Sequence, residues 1–245
     1  MKNAIITGAS SGIGRAIACE MAKEGYNLLL ISRNAERLKG ITEDVRKKFN
    51  VKALYVPFDL YKNRNYELIV QVALESLDSI DVLVNNAGIG PRHRIEEITQ
   101  EEIERIFWTN FFSHVLLTKH VIPYMKEQES GVIANIISLV AFYPIKYWSL
   151  YNASKAAMES FFKTLRKELK GTGITITNVY PGWTDTEFFE NAGINKEKLK
   201  KKIAGYLMDS PEYVARKVVR GIKKRKKEVF MHWWGWLLAK IHGFI

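Results

Sequence analysis

The sequence predicts an α/β fold: a doubly wound, mostly parallel sheet of seven strands with helices on both faces. Three observations predict it. Short apolar runs alternate with longer stretches of helical periodicity, the rhythm of strands joined by right-handed helical crossovers. Most of the apolar runs are nearly continuous, as strands covered on both faces require. No linker, repeat or low-complexity segment interrupts the 245 residues, so a single domain, 1–245, accommodates them.

In chain order the expected strands are 3–7 (NAIIT), 27–32 (NLLLIS), 51–58 (VKALYVPF), 81–85 (DVLVN), 132–138 (VIANIIS), 174–180 (ITITNVY) and 228–231 (EVFM). Helical patterns fall near 13–24, 34–49, 64–79, 100–127, 150–170 and 210–226. The polar segment 186–209 breaks the rhythm between a strand and a helix and is expected to be a substrate lid. Residues 228–245 are expected to form the last strand and an amphipathic apolar and basic tail.

Composition narrows the setting. One cysteine, Cys19, excludes an intrachain disulfide and fits a reducing compartment, so a cytoplasmic location is expected. No leader is read at the start, and no run of eighteen apolar residues is long enough to span a membrane. The formal net charge is +11, and residues 223–245 carry +5 of it. Trp233, Trp234, Leu237, Leu238 and Ile241 recur at helical spacing just after the five consecutive basic residues 223–227. Such a tail suits peripheral contact with an anionic membrane, closure of a substrate pocket, or packing against another subunit. No nucleic-acid partner is expected.

In sheets of this kind ligands bind beyond the carboxyl ends of the strands. After the first strand comes TGASSGIGRA, Thr7 to Ala16, where Gly8, Gly12 and Gly14 open a helix. Glycines there let the backbone approach a pyrophosphate whose charge sits at the helix N-terminus. The spacing is G-x-x-x-G-x-G. The second strand ends in Ser32 where an acidic residue would hold a ribose hydroxyl, and Arg33 follows. A guanidinium clasps a 2′-phosphate, which points to NADP(H). Asp59, after the third strand, is placed to accept from the adenine amino group or to cap a helix.

Tyr151 and Lys155 stand at i and i+4 in SLYNASKAAMES and share a helix face. An ammonium about 4 Å from a phenol is worth about 4 kcal/mol at an effective dielectric of about 20. That predicts a phenol pKa up to about three units below its usual value of about 10. Ser138, at the end of the fifth strand, can polarise a carbonyl beside that phenol. Asn110 lies mid-helix in IFWTNFFSH, where Asn has weak propensity and needs a reason. The five histidines show no metal-binding spacing, so no catalytic metal is expected.

Together TGASSGIG, NNAG (Asn85, Asn86, Ala87, Gly88), Asn110, Ser138, YNASK and PG (Pro181, Gly182) resemble the short-chain dehydrogenase/reductase family, in its order and spacing, to about residue 222. The resemblance implies a Rossmann-type fold and hydride exchange between NADP(H) and a carbonyl or alcohol. It implies Tyr151 as general acid/base, Lys155 lowering its pKa and binding the nicotinamide ribose, Ser138 holding the carbonyl, and Asn110 supporting a water chain toward Lys155. It implies cofactor contacts at Gly8, Ser10, Ser11, Gly12, Ile13, Gly14, Ser32, Arg33, Asp59 and Leu60. Further contacts are implied at Asn86, Ala87, Gly88, Tyr151, Lys155, Pro181, Gly182, Thr184 and Thr186. It also implies a homodimer or homotetramer paired through helices near 100–127 and 150–170.

The chain lacks the V-x-G-G-like ending of many members that reduce 3-oxoacyl thioesters, and its ending looks more like the hydroxysteroid-dehydrogenase-like branch. Phe142, Tyr143, Tyr147, Trp148, Trp183, Phe188 and Phe189 are candidates for an apolar pocket or for ordinary packing. A lipophilic ketone or alcohol is the expected substrate. A 3-oxoacyl thioester reductase and a catalytically idle cofactor-binding scaffold are the alternatives.

Overall fold

Seven strands pair in the order β3-β2-β1-β4-β5-β6-β7, every neighbour parallel. They are β1 (Asn3–Thr7), β2 (Asn27–Ser32), β3 (Ala53–Pro57), β4 (Val82–Asn85), β5 (Gly131–Ile136), β6 (Ile174–Tyr180) and β7 (Glu228–Phe230). The computed structural model describes all residues except 91, 196, 198, 200, 202–207 and 243–245. Parts of the expected lid and tail therefore lie outside the described residues.

Strand order reverses between β1 and β4, which opens a crevice at the carboxyl edge of the sheet. The strands' period of two sends alternate side chains into two cores. Ala4 and Ile6 of β1, with Leu28 and Leu30 of β2, enter one; Ile5, Leu29 and Ile31 enter the other. The first core is closed by α1 (Gly12–Lys23), α2 (Ala35–Phe49) and α8 (Pro211–Lys223). The second is closed by α3 (Tyr66–Leu77), α5 (Ser113–Glu127) and α6 (Ser149–Glu168).

Local chemistry sets the helix starts. Asn34, Asn65 and Ser210 accept from Arg37 N, Leu68 N and Tyr213 N at the heads of α2, α3 and α8. Thr99 and Glu102 form a capping box on α4 (Gln100–Phe107). Helix α1 is different: its N-cap, Ser11, makes no side-chain cap. The first turn of α1 therefore keeps backbone donors for something else.

The continuous helix expected over 100–127 is interrupted. A π-helical turn, Trp108–Phe112, separates α4 from α5. Asn110 sits at its centre, and its fully buried amide bonds Ile89, in the loop after β4, and Ser154 of α6. Hydrophobic periodicity does not register one extra residue in a turn.

A polar ladder crosses the sheet interior. Asn85 Nδ2 donates to Asn135 Oδ1 (2.9 Å) and Asn135 Nδ2 to Asn178 Oδ1 (3.1 Å). Asn178 Nδ2 and the Tyr180 hydroxyl then donate to Glu159 Oε2 on α6, at 3.0 and 2.7 Å. Parallel register puts these asparagines side by side, so each satisfies the next where an unpaired amide would be costly.

After β6 the chain leaves the sheet. Asp209 N donates to Trp183 O (2.8 Å) and Asp185 N to Asp209 O (2.9 Å), closing the base of the excursion that holds α7 (Phe188–Asn191). The tail forms α9 (Trp233–His242). Among the described residues, no helix is long and apolar enough to cross a membrane.

Candidate active site

One cavity of about 720 Å³ runs along the carboxyl ends of the strands. All nineteen expected cofactor contacts line it, as does Ser138. Asn110 does not line it and lies just behind the wall: a Cβ placed on Gly88 would stand 3.5 Å from Asn110 Oδ1 and 3.7 Å from Lys155 Nζ.

Two turns are stitched together at the switch point. Thr7 Oγ1 accepts from Asn86 N (2.9 Å) and Ala87 N (3.1 Å), and Asn86 Nδ2 donates to Thr7 O (2.9 Å). Gly8 and Gly12 have φ of +65° and +52°, which a side chain would strain. A Cβ on Gly8 would also meet Ala87 Cα at 2.8 Å. The uncapped start of α1 faces this turn, an arrangement suited to a diphosphate. At the end of β2, Ser32 Oγ shares a hydrogen bond with Ser10 Oγ (2.7 Å), while Arg33 is exposed on the cavity rim. No described carboxylate forms an ion pair with Arg33. These donors fit a nicotinamide dinucleotide. Asp59 caps a turn, its Oδ1 accepting from Tyr61 N (2.9 Å) and Lys62 N (3.3 Å), and does not cap a helix. The next helix, α3, is capped by Asn65.

Tyr151 and Lys155 project from the first turns of α6, as their spacing predicts, but the expected electrostatics are absent. Lys155 Nζ lies 5.7 Å from the Tyr151 ring centroid and donates to Ile136 O at 2.8 Å, with Met158 Sδ at 3.7 Å. Burial dominates both groups. It pushes the Tyr151 phenol up to about 12, against the opposing hydrogen bond from Ser138. It pushes the Lys155 ammonium down to about 7. The phenol lowering expected from the sequence is therefore not a property of the unliganded chain. Neighbouring His114, fully buried, is pushed down to about 3 by burial and by Lys155, so it is neutral.

Both amide donors of Asn110 and one acceptor site of its oxygen are committed. Its Oδ1 accepts from Ile89 N (2.8 Å), and its Nδ2 donates to Ile89 O (2.8 Å) and Ser154 Oγ (3.0 Å). The same bonds fix the strip after NNAG, which sequence reasoning missed. Gly90 packs there so closely that a Cβ would meet Phe188, Trp148 and Tyr151 within 3.0 Å. The glycine was visible in NNAGIG, but nothing local showed which rings would close on it.

Aromatic residues form the remaining wall. Phe188 of α7 stacks on Trp148 (5.7 Å) and tilts against Tyr151 (5.3 Å); Trp183 leans on Phe189 (5.4 Å). Tyr143 also lines the cavity, whereas Phe142 packs on Tyr180 in the core and Tyr147 faces a smaller cavity. The apolar face expected on the tail is divided. Trp234 and Leu238 of α9 line the main cavity, while Trp233, Leu237 and Ile241 point outward with Trp236. Propensity and period place these residues on a helix without saying which of them meets the pocket.

Comparison with known proteins agrees with this geometry. The short chain dehydrogenase family profile matches residues 2–197. The ketoacyl reductase HetN of Nostoc sp. is 35% identical over 231 residues, covering 94% of this chain and 78% of that protein. An 11-beta-hydroxysteroid dehydrogenase of Pinus massoniana is 34% identical over 242 residues, covering 95% and 67%. A short-chain dehydrogenase from Sphingobium yanoikuyae in complex with NADPH superposes with a TM-score of 0.88 at 28% identity, covering 100% of this chain and 94% of that one. L-sorbose reductase from Gluconobacter frateurii, complexed with NADPH and L-sorbose, superposes at 0.85 with 30% identity, covering 94% of each. A Burkholderia phymatum protein with NAD bound shares the fold at 22% identity, with a TM-score of 0.87 over 98% of this chain and 92% of that one.

The buried lysine has a stability signature. Unfolded, Lys155 holds its proton up to pH 10.5; folded, only to about 7. The unfolded state binds more protons in that window, so this group's cost is full below about pH 7 and fades as pH rises toward 10.5. Lys155→Met should melt at a higher temperature than the parent near neutrality. The gap should shrink across that window in thermal melts of the unliganded chains. A lower melting temperature for the variant at neutral pH contradicts this.

Proposed function

As a member of the short-chain dehydrogenase family this chain is an oxidoreductase, and we propose that it exchanges a hydride between NADP(H) and the carbonyl or secondary alcohol of a lipophilic substrate. The observation that carries the reading is the meeting of Ser138, Tyr151 and Lys155 in the cavity that the glycine turn and Arg33 also line. When bound, the nicotinamide supplies or accepts the hydride.

The chain's own residues handle the oxygen. Ser138 hydrogen-bonds Tyr151 and is placed to donate to a carbonyl oxygen held between them. Tyr151 gives that oxygen its proton in reduction and takes it back in oxidation. A phenol at about 12 is protonated at neutral pH, which suits the reductive direction. Lys155, with one strong acceptor at Ile136 O, has donors left for the ribose and the phenol. Each new partner restores some of the stabilisation its charge lost on burial.

Arg33 supports the NADP(H) preference, having Ser32 rather than a carboxylate beside it. The wall of Trp148, Trp183, Phe188 and Phe189, closed by Trp234 and Leu238, supports an apolar substrate. Likeness to a ketoacyl reductase supports a second reading, a 3-oxoacyl thioester as substrate. NADPH oxidation with apolar ketones, steroid ketones and 3-oxoacyl thioesters separates these readings. No oxidation with any carbonyl would favour the idle scaffold.

Tyr151→Phe should fold, bind NADPH and lose at least a hundredfold in kcat, the order assigned to general acid catalysis. Retention of a tenth of parental kcat removes Tyr151 from the chemistry. Arg33→Asp should raise the KM for NADPH about tenfold or more and leave NADH equal or better, because a carboxylate repels the 2′-phosphate and accepts from a ribose hydroxyl. Unchanged KM values for both cofactors contradict the assignment.

A further inference from the structure

A second cavity, about 230 Å³, is lined by Arg92, His93, Arg94, Glu97 and Tyr147. It shares a wall with the main one. Tyr147 faces the small cavity and its neighbour Trp148 the large one. His93 faces the small cavity and pairs through Nε2 with Glu102 Oε1 (3.0 Å), and Glu102 lines the large one.

Three cations converge on one ring here. Arg92 Cζ lies 4.6 Å, Lys146 Nζ 4.9 Å and Arg94 Cζ 5.9 Å from the Tyr147 ring centroid. They come from two separate segments, one after β4 and one before α6. Among the described residues no carboxylate pairs with any of the three side chains. Glu97 lines the cavity, but its Oε2 accepts from the Arg94 backbone N–H (2.9 Å). Exposed cations ordinarily spread apart into solvent, and their gathering around one ring calls for a counter-charge.

The backbone is held to present that ring. Tyr147 has φ +71°, a left-handed conformation that a bulky residue adopts only under constraint. His93 N donates to Tyr147 O (3.1 Å), tying the two cation-bearing segments together.

We propose that this cavity is a substrate-end subsite, binding the carboxylate or phosphate terminus of an otherwise apolar substrate whose body lies in the aromatic cavity. The inference rests on the reductase reading and narrows its substrate class to amphipathic anions. The two guanidinium forks that line the cavity match the planar carboxylate or the three-oxygen phosphate ester, with the Lys146 ammonium outside the lining but beside the same ring, and Trp148 marks the boundary between the polar and apolar parts.

The test uses the full chain saturated with NADP⁺, so that the cofactor's own anion site is filled. Tryptophan fluorescence reads the binding of three probes below their micellar concentrations: dodecanoate, dodecyl phosphate and dodecanol. At least one anionic probe should bind about tenfold or more tightly than dodecanol, a difference of about 1.4 kcal/mol. Whichever of the two anions binds tighter identifies the group the subsite takes. The advantage should fall below threefold, roughly the scatter between closely similar sites, in Arg92→Gln/Arg94→Gln, and should decline with salt as partly exposed charges are screened. Arg92→Lys should retain part of it. Equal binding of all three probes by the parent overturns the proposal, as does an anion advantage that survives in the double variant. Failure of the reductase reading is distinguishable, because it shows as absent NADPH oxidation, while probe binding is read without turnover.

Discussion

The proposed chemistry turns on a single buried ammonium. Lys155 is 3% exposed, and its Nζ has one strong partner, the Ile136 carbonyl, and one weak one, the Met158 sulfur. Taking a cation out of water without a counter-charge costs several kcal/mol, which shows here as a proton that leaves near neutrality.

The scaffold serves that placement. Lys155 stands on α6, whose far turn is pinned by Glu159 to the asparagine ladder across β4, β5 and β6. Ser154 beside it receives Asn110 Nδ2 from the π turn, which in turn holds Ile89 and the strip leading to Gly90. The part of α6 that carries Tyr151 and Lys155 is thus held by bonds from separate elements, giving the rigidity that the proposed proton transfer needs. On the proposed reading, the aromatic wall would hold the apolar body of a substrate and the cationic cavity beyond Tyr147 its charged end.

Much of this was legible in the sequence. β1, β2 and β6 occur at the residues read from their apolar runs, since a buried parallel strand leaves little doubt about its period. All the expected cofactor residues share one cavity, because the glycine turn, NNAG and PG each follow a strand and parallel strands bring their ends to one edge. What sequence hid was set by tertiary contact. The π turn centres on an amide bonded to other elements, and the division of the tail depends on where α9 meets Leu139, against which Gly235 packs. The phenol's pKa failed for a physical reason: spacing gives the distance between two side chains on a helix, but not how much water remains around them.

The most direct test of this account is the titration of Lys155 itself. Carbon-13 labelling of lysine Cε, followed by NMR across pH in the unliganded parent and in Lys155→Met, isolates the one resonance that the substitution removes. The account predicts that this lysine titrates near 7, well below the usual value of about 10.4. A resonance that titrates with the surface lysines above about 10 would contradict it, because the ammonium would then already be satisfied without a ligand.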